Sequence, residues 1–377
     1  MKILYCIPSL EHGGAERQLS YLASQLASMG HEVHVASSRG GPYLSRLKSA
    51  GVKWHCVGNS SNRDPRIFFR LVALIRRLRP DVIQTILTPM DIMGGAAALV
   101  TNTRWVLKEC SSASLYASAL RYRLRFALGG RADAIVSNSA GGDAYWHSAL
   151  RVKSLHVISN AIPLEEIDTT RSGSINRLTR VPEKIVLFAG RLDENKNVEN
   201  LIIALARVAD EMAFVGFICG DGPQRPRLER LARQVGVSHR LIFTGYVSNL
   251  WALMIRADVF ASLSRLEGCP NVVMEAMACG CPLVVSDIAA HREILDDRTA
   301  FFVSPDEPGQ VAYAIKTTLQ SSAQAQARAQ AGKAKAAAWG IEDMALLYER
   351  VYLNLVGTRD TATLHGCKLR TAERNVF

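Results

Sequence analysis

The chain has 377 residues, with 45 Lys and Arg against 34 Asp and Glu and close to half its residues apolar. That length supports two domains of ordinary size, each with its own core, and the composition excludes an intrinsically disordered chain. No stretch approaches the ~20 uninterrupted apolar residues of a membrane-spanning helix. The opening MKILYCIPSLEHGG continues too directly into a fold to read as a signal peptide, so a cytoplasmic location is expected.

The basic excess is lopsided. Residues 1–165 carry 20 basic and 10 acidic side chains, and the remainder 25 and 24. A basic half suits nucleic acid, an anionic membrane face or a diphosphate-bearing acceptor. No nucleic-acid module or platform of interleaved aromatic and basic residues is present, so nucleic acid is set aside and the other two are kept. The eight cysteines are scattered without a CxxC pair; they read as free thiols, and no metal is expected.

In chain order, Lys2–Pro8 reads as a compact apolar strand, followed by a loop to Gly14 and a helix from about Ala15 to Met29 that stops at Gly30. His31–Ser37 alternates as a second strand, which completes a βαβ unit. Gly13 and Gly14 let backbone approach a ligand at the helix start. No GxGxxG is present, so a nicotinamide site is unsupported. Arg66–Arg79 is an amphipathic helix with a cationic face, suited to cover a sheet or to touch a membrane surface; Arg121, Arg123 and Arg125 form a second basic cluster. The strands Asp81–Thr88 and Arg104–Lys108 end in polar residues. In an open α/β sheet such carboxyl ends face the ligand crevice, which makes Thr88, Asp91, Glu109 and Ser111 acceptor-side candidates. Residues 164–180 read as an irregular polar linker.

The second half repeats the alternation. Lys184–Ala189 is a strand, and Gly190, Arg191 and Lys196 follow on its loop, where an arginine and a lysine can both reach one diphosphate. Arg240–Phe243 ends in Thr244, Gly245 and Tyr246. Ala257–Leu263 leads into RLEGCPNVVMEAMACGCPLVVSD, residues 265–287. In this stretch a loop enters a helix capped by Asn271 or its neighbour, and Glu267 and Glu275 bracket the helix start with seven residues between them. The exposed N–H groups of a helix start suit phosphate, whereas carboxylates accept from sugar or ribose hydroxyls. Ala323–Ala338 is helix-prone, Ile341–Leu355 reads as a last amphipathic helix, and residues 358–377 read as a loose tail.

Glu267-x7-Glu275, with Gly268, Pro270 and Asn271 between, resembles the motif of retaining GT-B glycosyltransferases of family four, or group 1. The resemblance extends to Gly13, Gly14 and Glu16 and to Gly190-Arg191-Leu192 with Lys196. It implies two Rossmann-like α/β domains with parallel sheets facing a cleft: residues 1–163 plus the returning helix 341–356 on the acceptor side, and 164–340 on the donor side. It further implies transfer of a sugar from a nucleoside diphosphate sugar, UDP ahead of GDP, to an acceptor hydroxyl of a surface polysaccharide or lipid-linked glycan. Arg191, Lys196 and Glu267 carry the catalytic expectation. Gly13, Gly14, Gly190, Gly245, Tyr246, Gly268, Cys269, Pro270, Asn271 and Glu275 carry donor binding, while Glu16 joins the acceptor side. Peripheral attachment at the inner face of the plasma membrane fits such an acceptor. The histidine that many members carry just beyond the strand Asp81–Thr88 is absent: the chain reads Thr88-Pro89-Met90-Asp91 there. A nucleotide-sugar epimerase of the same fold, or an inactive sugar-nucleotide-binding protein, is the alternative.

Overall fold

The computed structural model describes residues 1–11, 13–58, 64–111, 119–147, 152–172 and 183–357. The first half comprises β1 (Lys2–Cys6), α1 (Gly14–Ser28), β2 (Glu32–Ser37), α2 (Leu44–Ser49), β3 (Lys53–Cys56), α3 (Arg66–Leu78), β4 (Val82–Ile86), α4 (Thr88–Thr101), β5 (Arg104–Glu109), α5 (Leu120–Gly129), β6 (Ala134–Ser137), α6 (Ala140–Trp146) and β7 (Leu155–Val157). The second comprises α7 (Leu164–Ser172), β8 (Lys184–Ala189), α8 (Val198–Ala209), β9 (Phe214–Cys219), α9 (Arg225–Gln234), β10 (Leu241–Gly245), α10 (Leu250–Arg256), β11 (Val259–Ser262), α11 (Asn271–Cys279), β12 (Leu283–Ser286), α12 (Ala289–Ile294), β13 (Phe301–Val303), α13 (Pro308–Gln320), α14 (Ser322–Ala336) and α15 (Ile341–Val356).

Two parallel sheets result, ordered β3-β2-β1-β4-β5-β6-β7 and β10-β9-β8-β11-β12-β13. The central strands are short apolar runs such as KIVLFA of β8, buried on both faces, as parallel strands covered by helices must be. In each sheet the winding reverses once, between β1 and β4 and between β8 and β11. Loops leaving neighbouring strands diverge at these points and open a crevice at the strands' carboxyl ends. The loops after β1, β8 and β11 are those that carry Gly13–Gly14, Arg191–Lys196 and Glu267.

The helix α15 returns from the second half to pack against α1. Met344, Ala345, Tyr348, Val351 and Tyr352 are buried in the first domain's core beside Ile3, Tyr5 and Leu22. The Tyr352 hydroxyl donates to Gln84 Oε1 at 2.6 Å and lies 3.1 Å from the Tyr5 hydroxyl. Lys108, buried on β5, donates to the Tyr348 hydroxyl.

One expectation is corrected. Residues 164–172 of the polar stretch form the helix α7, packed on α10 and α11 of the second domain. Pro163 before its first turn and Glu165 and Glu166 within it favour a helix start, and Ile167 supplies a buried anchor. The rest of that stretch from 173, and the tail 358–377, lie outside the described residues.

Candidate functional site

The carboxyl ends of β8, β9 and β10 are knitted by backbone bonds, Gly190 N–H to Cys219 O at 2.9 Å and Gly220 N–H to Gly245 O at 2.7 Å. A side chain at Gly220 is excluded, because its Cβ would stand 1.9 Å from Gly190 O. From this floor the loop after β8 rises to Asn195, whose side-chain amide accepts from Leu266 N–H at 3.0 Å and donates to Leu266 O at 2.7 Å. That clasp holds the Arg191–Lys196 loop against the Glu267 loop. Lys196 Nζ and Glu267 Oε1 form an ion pair there. Arg191 is 72% exposed and lies 3.8 Å from Asp193, so its guanidinium stands in solvent within reach of an anion.

The helix α11 begins at Asn271 directly after Pro270. The capping expectation changes in detail: Asn271 makes no cap bond, and its Oδ1 accepts from Asn160 Nδ2 of the first domain at 2.8 Å. A Cβ on Gly14 would lie 2.9 Å from Asn271 Nδ2. The amino-terminal ends of α1 and α11 therefore meet, and their positive dipole ends converge on one spot. Gly268 is pressed onto the end of β5, where a Cβ would fall 2.7 Å from Cys110 O, so only glycine permits this closure. Cys269 beside it is half-buried, its thiol pushed up to about 11 by burial.

Glu275 is 3% exposed. Its Oε2 accepts from Trp251 Nε1 at 2.8 Å, and both oxygens face the Arg17 guanidinium of α1, across the domain boundary. Burial raises its carboxyl above the ordinary range, and Arg17 and Trp251 offset this in part. Tyr246 is exposed and lines a cavity of about 500 Å³ with Tyr21, Pro42, Tyr43 and Arg46 of the first domain.

The acceptor-side candidates divide. Glu16 folds back over Gly13, its carboxyl raised by desolvation. Thr88 opens α4 half-buried, and Ser111 stands beside Gly268 with its N–H bound to Glu109 Oε1 at 2.9 Å. Asp91 and Glu109 do not reach the crevice. Both are fully buried against Arg125, Nε to Asp91 Oδ2 at 2.6 Å and Nη1 to Glu109 Oε2 at 2.7 Å, and Trp146 Nε1 adds a bond to Glu109 at 2.9 Å. Burial pushes the Asp91 carboxyl up to about 6 despite the cation. The reason for the miss is the strand's alternation: Glu109 follows Trp105 and Leu107 onto the face covered by α4 and α5, not onto the open end. Just before Thr88, Leu87 carries φ 68°, a positive value that costs a non-glycine residue roughly 1–3 kcal/mol.

Sequence reasoning missed Arg17, Trp251, Tyr43 and Asn160. Arg17 follows Glu16 directly in the matched loop, and only its distant partner marks it out. Among the described residues no group of three or more His, Cys, Asp or Glu is arranged to hold a metal ion.

Comparison with known proteins gives two matches in chain order. Residues 12–166 match the family described as Glycosyltransferase Family 4, and residues 175–335 that described as Glycosyl transferases group 1. A Campylobacter jejuni relative, N-acetylgalactosamine-N,N'-diacetylbacillosaminyl-diphospho-undecaprenol 4-alpha-N-acetylgalactosaminyltransferase, is 28% identical over 83% of this chain and 89% of its own length. The lipopolysaccharide core biosynthesis glycosyltransferase LpsE of Rhizobium meliloti is 27% identical over 72% of this chain and 75% of its own. Among solved structures, Anabaena HepE in complex with UDP and glucose superposes with a TM-score of 0.82 at 20% identity, covering 94% of this chain and 100% of that one. The WaaG glycosyltransferase structure gives a TM-score of 0.70 at 17% identity, over 94% of this chain and 100% of its own. With both halves matched in order and both sheets laid out as in these structures, the chain belongs to the family 4, group 1 glycosyltransferases and has the GT-B fold.

Proposed function

We propose that the chain is a retaining glycosyltransferase that moves a sugar from a nucleoside diphosphate sugar, UDP ahead of GDP, to a hydroxyl of a lipid-linked or growing surface glycan at the cytoplasmic face of a membrane. One observation supports the reading: the Lys196–Glu267 pair lies four residues before the start of α11, which meets the start of α1 from the other domain, and an exposed Arg191 stands on the same loop as Lys196. Nothing but a compact polyanion needs so much positive potential in one place, and the flanking carboxylates suit the hydroxyls on either side of it.

In this reading Arg191, Lys196 and the backbone at Gly13–Gly14 and Gly268–Asn271 hold the diphosphate, and charge neutralisation is assigned to them and to no metal. Glu275 accepts from the ribose, Glu267 from the transferred sugar, and Gly245 with Tyr246 borders the base. Lys196 and Glu267 exchange each other for phosphate and hydroxyl as the donor enters. The bond from the anomeric carbon to the diphosphate breaks while the acceptor oxygen bonds to the same face, and a donor phosphate oxygen takes the acceptor's proton. Preorganised donors at the leaving group lower this barrier, and closure over the donor excludes water.

The lipid-linked acceptor is supported by the Campylobacter relative, whose name places its own acceptor on diphospho-undecaprenol, and by one face of the first domain. There α4 packs between α3 and α5, and Phe69, Val100, Leu120 and Leu124 are exposed among Arg66, Arg76, Arg77, Arg121 and Arg123. Each basic residue near an anionic surface adds about 1 kcal/mol of attraction. Reversing Arg76, Arg77, Arg121 and Arg123 to Glu should therefore cut binding to anionic vesicles at least about tenfold.

The deciding experiment offers a panel of UDP- and GDP-sugars with a polyprenyl-diphosphate-linked saccharide and reads the anomeric coupling of the product by NMR. A product with the donor's configuration supports the proposal, and an inverted one refutes retention. Conversion of the donor without acceptor would indicate an epimerase, and binding without turnover an inactive binding protein.

A further inference from the structure

We propose that Arg17 is a latch on the donor's ribose site, which occupies the Glu275 carboxylate while the site is empty and must withdraw before a nucleoside's two ribose hydroxyls can bind. The proposal rests on Glu275 as the hydroxyl acceptor of the reading above. It assigns Arg17 a function that its place beside the glycine loop does not announce.

Counting acceptor directions makes the case. A carboxylate offers four, two on each oxygen. Arg17 Nη2 takes one on Oε1, Arg17 Nη1 one on Oε2 at 3.4 Å, and Trp251 Nε1 another on Oε2 at 2.8 Å. One direction remains, on Oε1. A ribose presents two adjacent hydroxyls, both donors, so one occupant has to leave.

Trp251 is the fixed one. It lies on α10, which packs on α11 within the same domain, so Trp251 and Glu275 move together. Arg17 comes from α1 of the other domain on a long side chain that remains 24% exposed. Rotation of that side chain about its own bonds withdraws it without disturbing the Trp251 bond. The two domains keep other polar ties when it leaves, among them Asn160 to Asn271 at 2.8 Å and Ala140 N–H to Glu293 at 2.9 Å. The consequence is a charge on donor affinity: a site competent only when unlatched binds more weakly by the fraction of time it is open.

The test compares the full chain with Arg17→Met, which keeps an unbranched apolar stem and loses the donors, and with Arg17→Lys, which has a single ammonium in place of the fork. Uridine, 2'-deoxyuridine and UDP are titrated at pH 7.5 and 8.5, because burial raises the Glu275 carboxyl and Arg17 opposes this, with the guanine series run where the unaltered chain prefers GDP. The latch predicts that uridine binds Arg17→Met about fivefold or more tighter than the unaltered chain, and Arg17→Lys by an intermediate factor. It predicts less than a twofold change for 2'-deoxyuridine, whose single hydroxyl fits the direction already open. Uridine binding that is unchanged or weaker in Arg17→Met overturns the latch. UDP weakened with uridine unchanged also overturns it, and makes Arg17 a diphosphate ligand instead. If neither protein binds any nucleotide, the glycosyltransferase site reading fails with it; if only the variant binds, the latch stands in its strongest form.

Discussion

Replacing Arg125 by Met tests whether the carboxylates beneath the crevice belong to the first domain's framework or to its chemistry. Arg125 is 2% exposed, bonded to Asp91 at 2.6 Å and Glu109 at 2.7 Å, with its guanidinium 5.2 Å from the Trp146 ring centre. Methionine fills most of the volume but leaves two buried carboxylates facing one another without the cation between them. Removing one partner of such a buried pair costs about 3–5 kcal/mol. At roughly 2–4 °C per kcal/mol for a domain of 150–250 residues, a loss of about 4 kcal/mol lowers the midpoint by about 8–16 °C. Calorimetry at pH 7.5 reads the first domain's transition directly, and the deficit should shrink toward pH 4.5, where the Asp91 carboxyl takes up a proton. A drop below about 3 °C would refute the reasoning. The two carboxylates would then reach water, and Asp91 and Glu109 would return as acceptor contacts.

The same triad sets a pH dependence. Asp91 has a folded pKa of about 6, above its ordinary 3.8, so between those values the folded protein holds a proton that the unfolded chain has lost. Its ionisation penalty therefore grows from about pH 4 to pH 6 and is full above, at up to about 3 kcal/mol. Asp91→Asn should gain stability over the unaltered chain as the pH rises through that window, in urea titrations at pH 4 and 8, with the acceptor KM unchanged; a difference that is flat with pH contradicts the account. Glu275→Gln should weaken nucleoside diphosphate binding by about 10- to 100-fold, the value of hydrogen bonds to a charged group, and unchanged affinity by calorimetry removes Glu275 from the site. Arg191→Met should cut kcat/KM by about 100-fold or more while leaving the melting midpoint within about 1 °C, because its side chain is exposed. A large midpoint shift would show that Arg191 supports the fold instead.

Much of this architecture was legible along the chain. Lys184–Ala189 appears with the bounds its apolar run announces, and the helix expected over 15–29 occupies 14–28. Arg191, Lys196 and Glu267 could be brought together on paper because each lies on a loop at a strand's carboxyl end beside a reversal of winding. Two of the failures share a cause: they depend on partners that local pattern does not encode. Glu109 satisfies the rule for strand ends, yet its fate is decided by Arg125 on a helix whose arginines read as one basic cluster. Arg17 and Glu275 lie 258 positions apart, and nothing near either announces the other. In α7 the polar composition masked the helix-start signals of Pro163, Glu165 and Glu166.

The returning helix α15 has a consequence for the order in which the molecule is made. Tyr5 waits for Tyr352, Gln84 for the same hydroxyl, and Lys108 for Tyr348. At ~5–20 residues per second, the ribosome needs roughly 10–40 s to travel from the end of the first domain to those tyrosines. Through that interval the first sheet lacks the part of one face's cover that α15 supplies beside α1, while α7 through α14 emerge as a body that covers its own sheet. The half translated second is therefore the half that can finish folding first, and the nascent first half is the part that needs shelter from aggregation until α15 arrives.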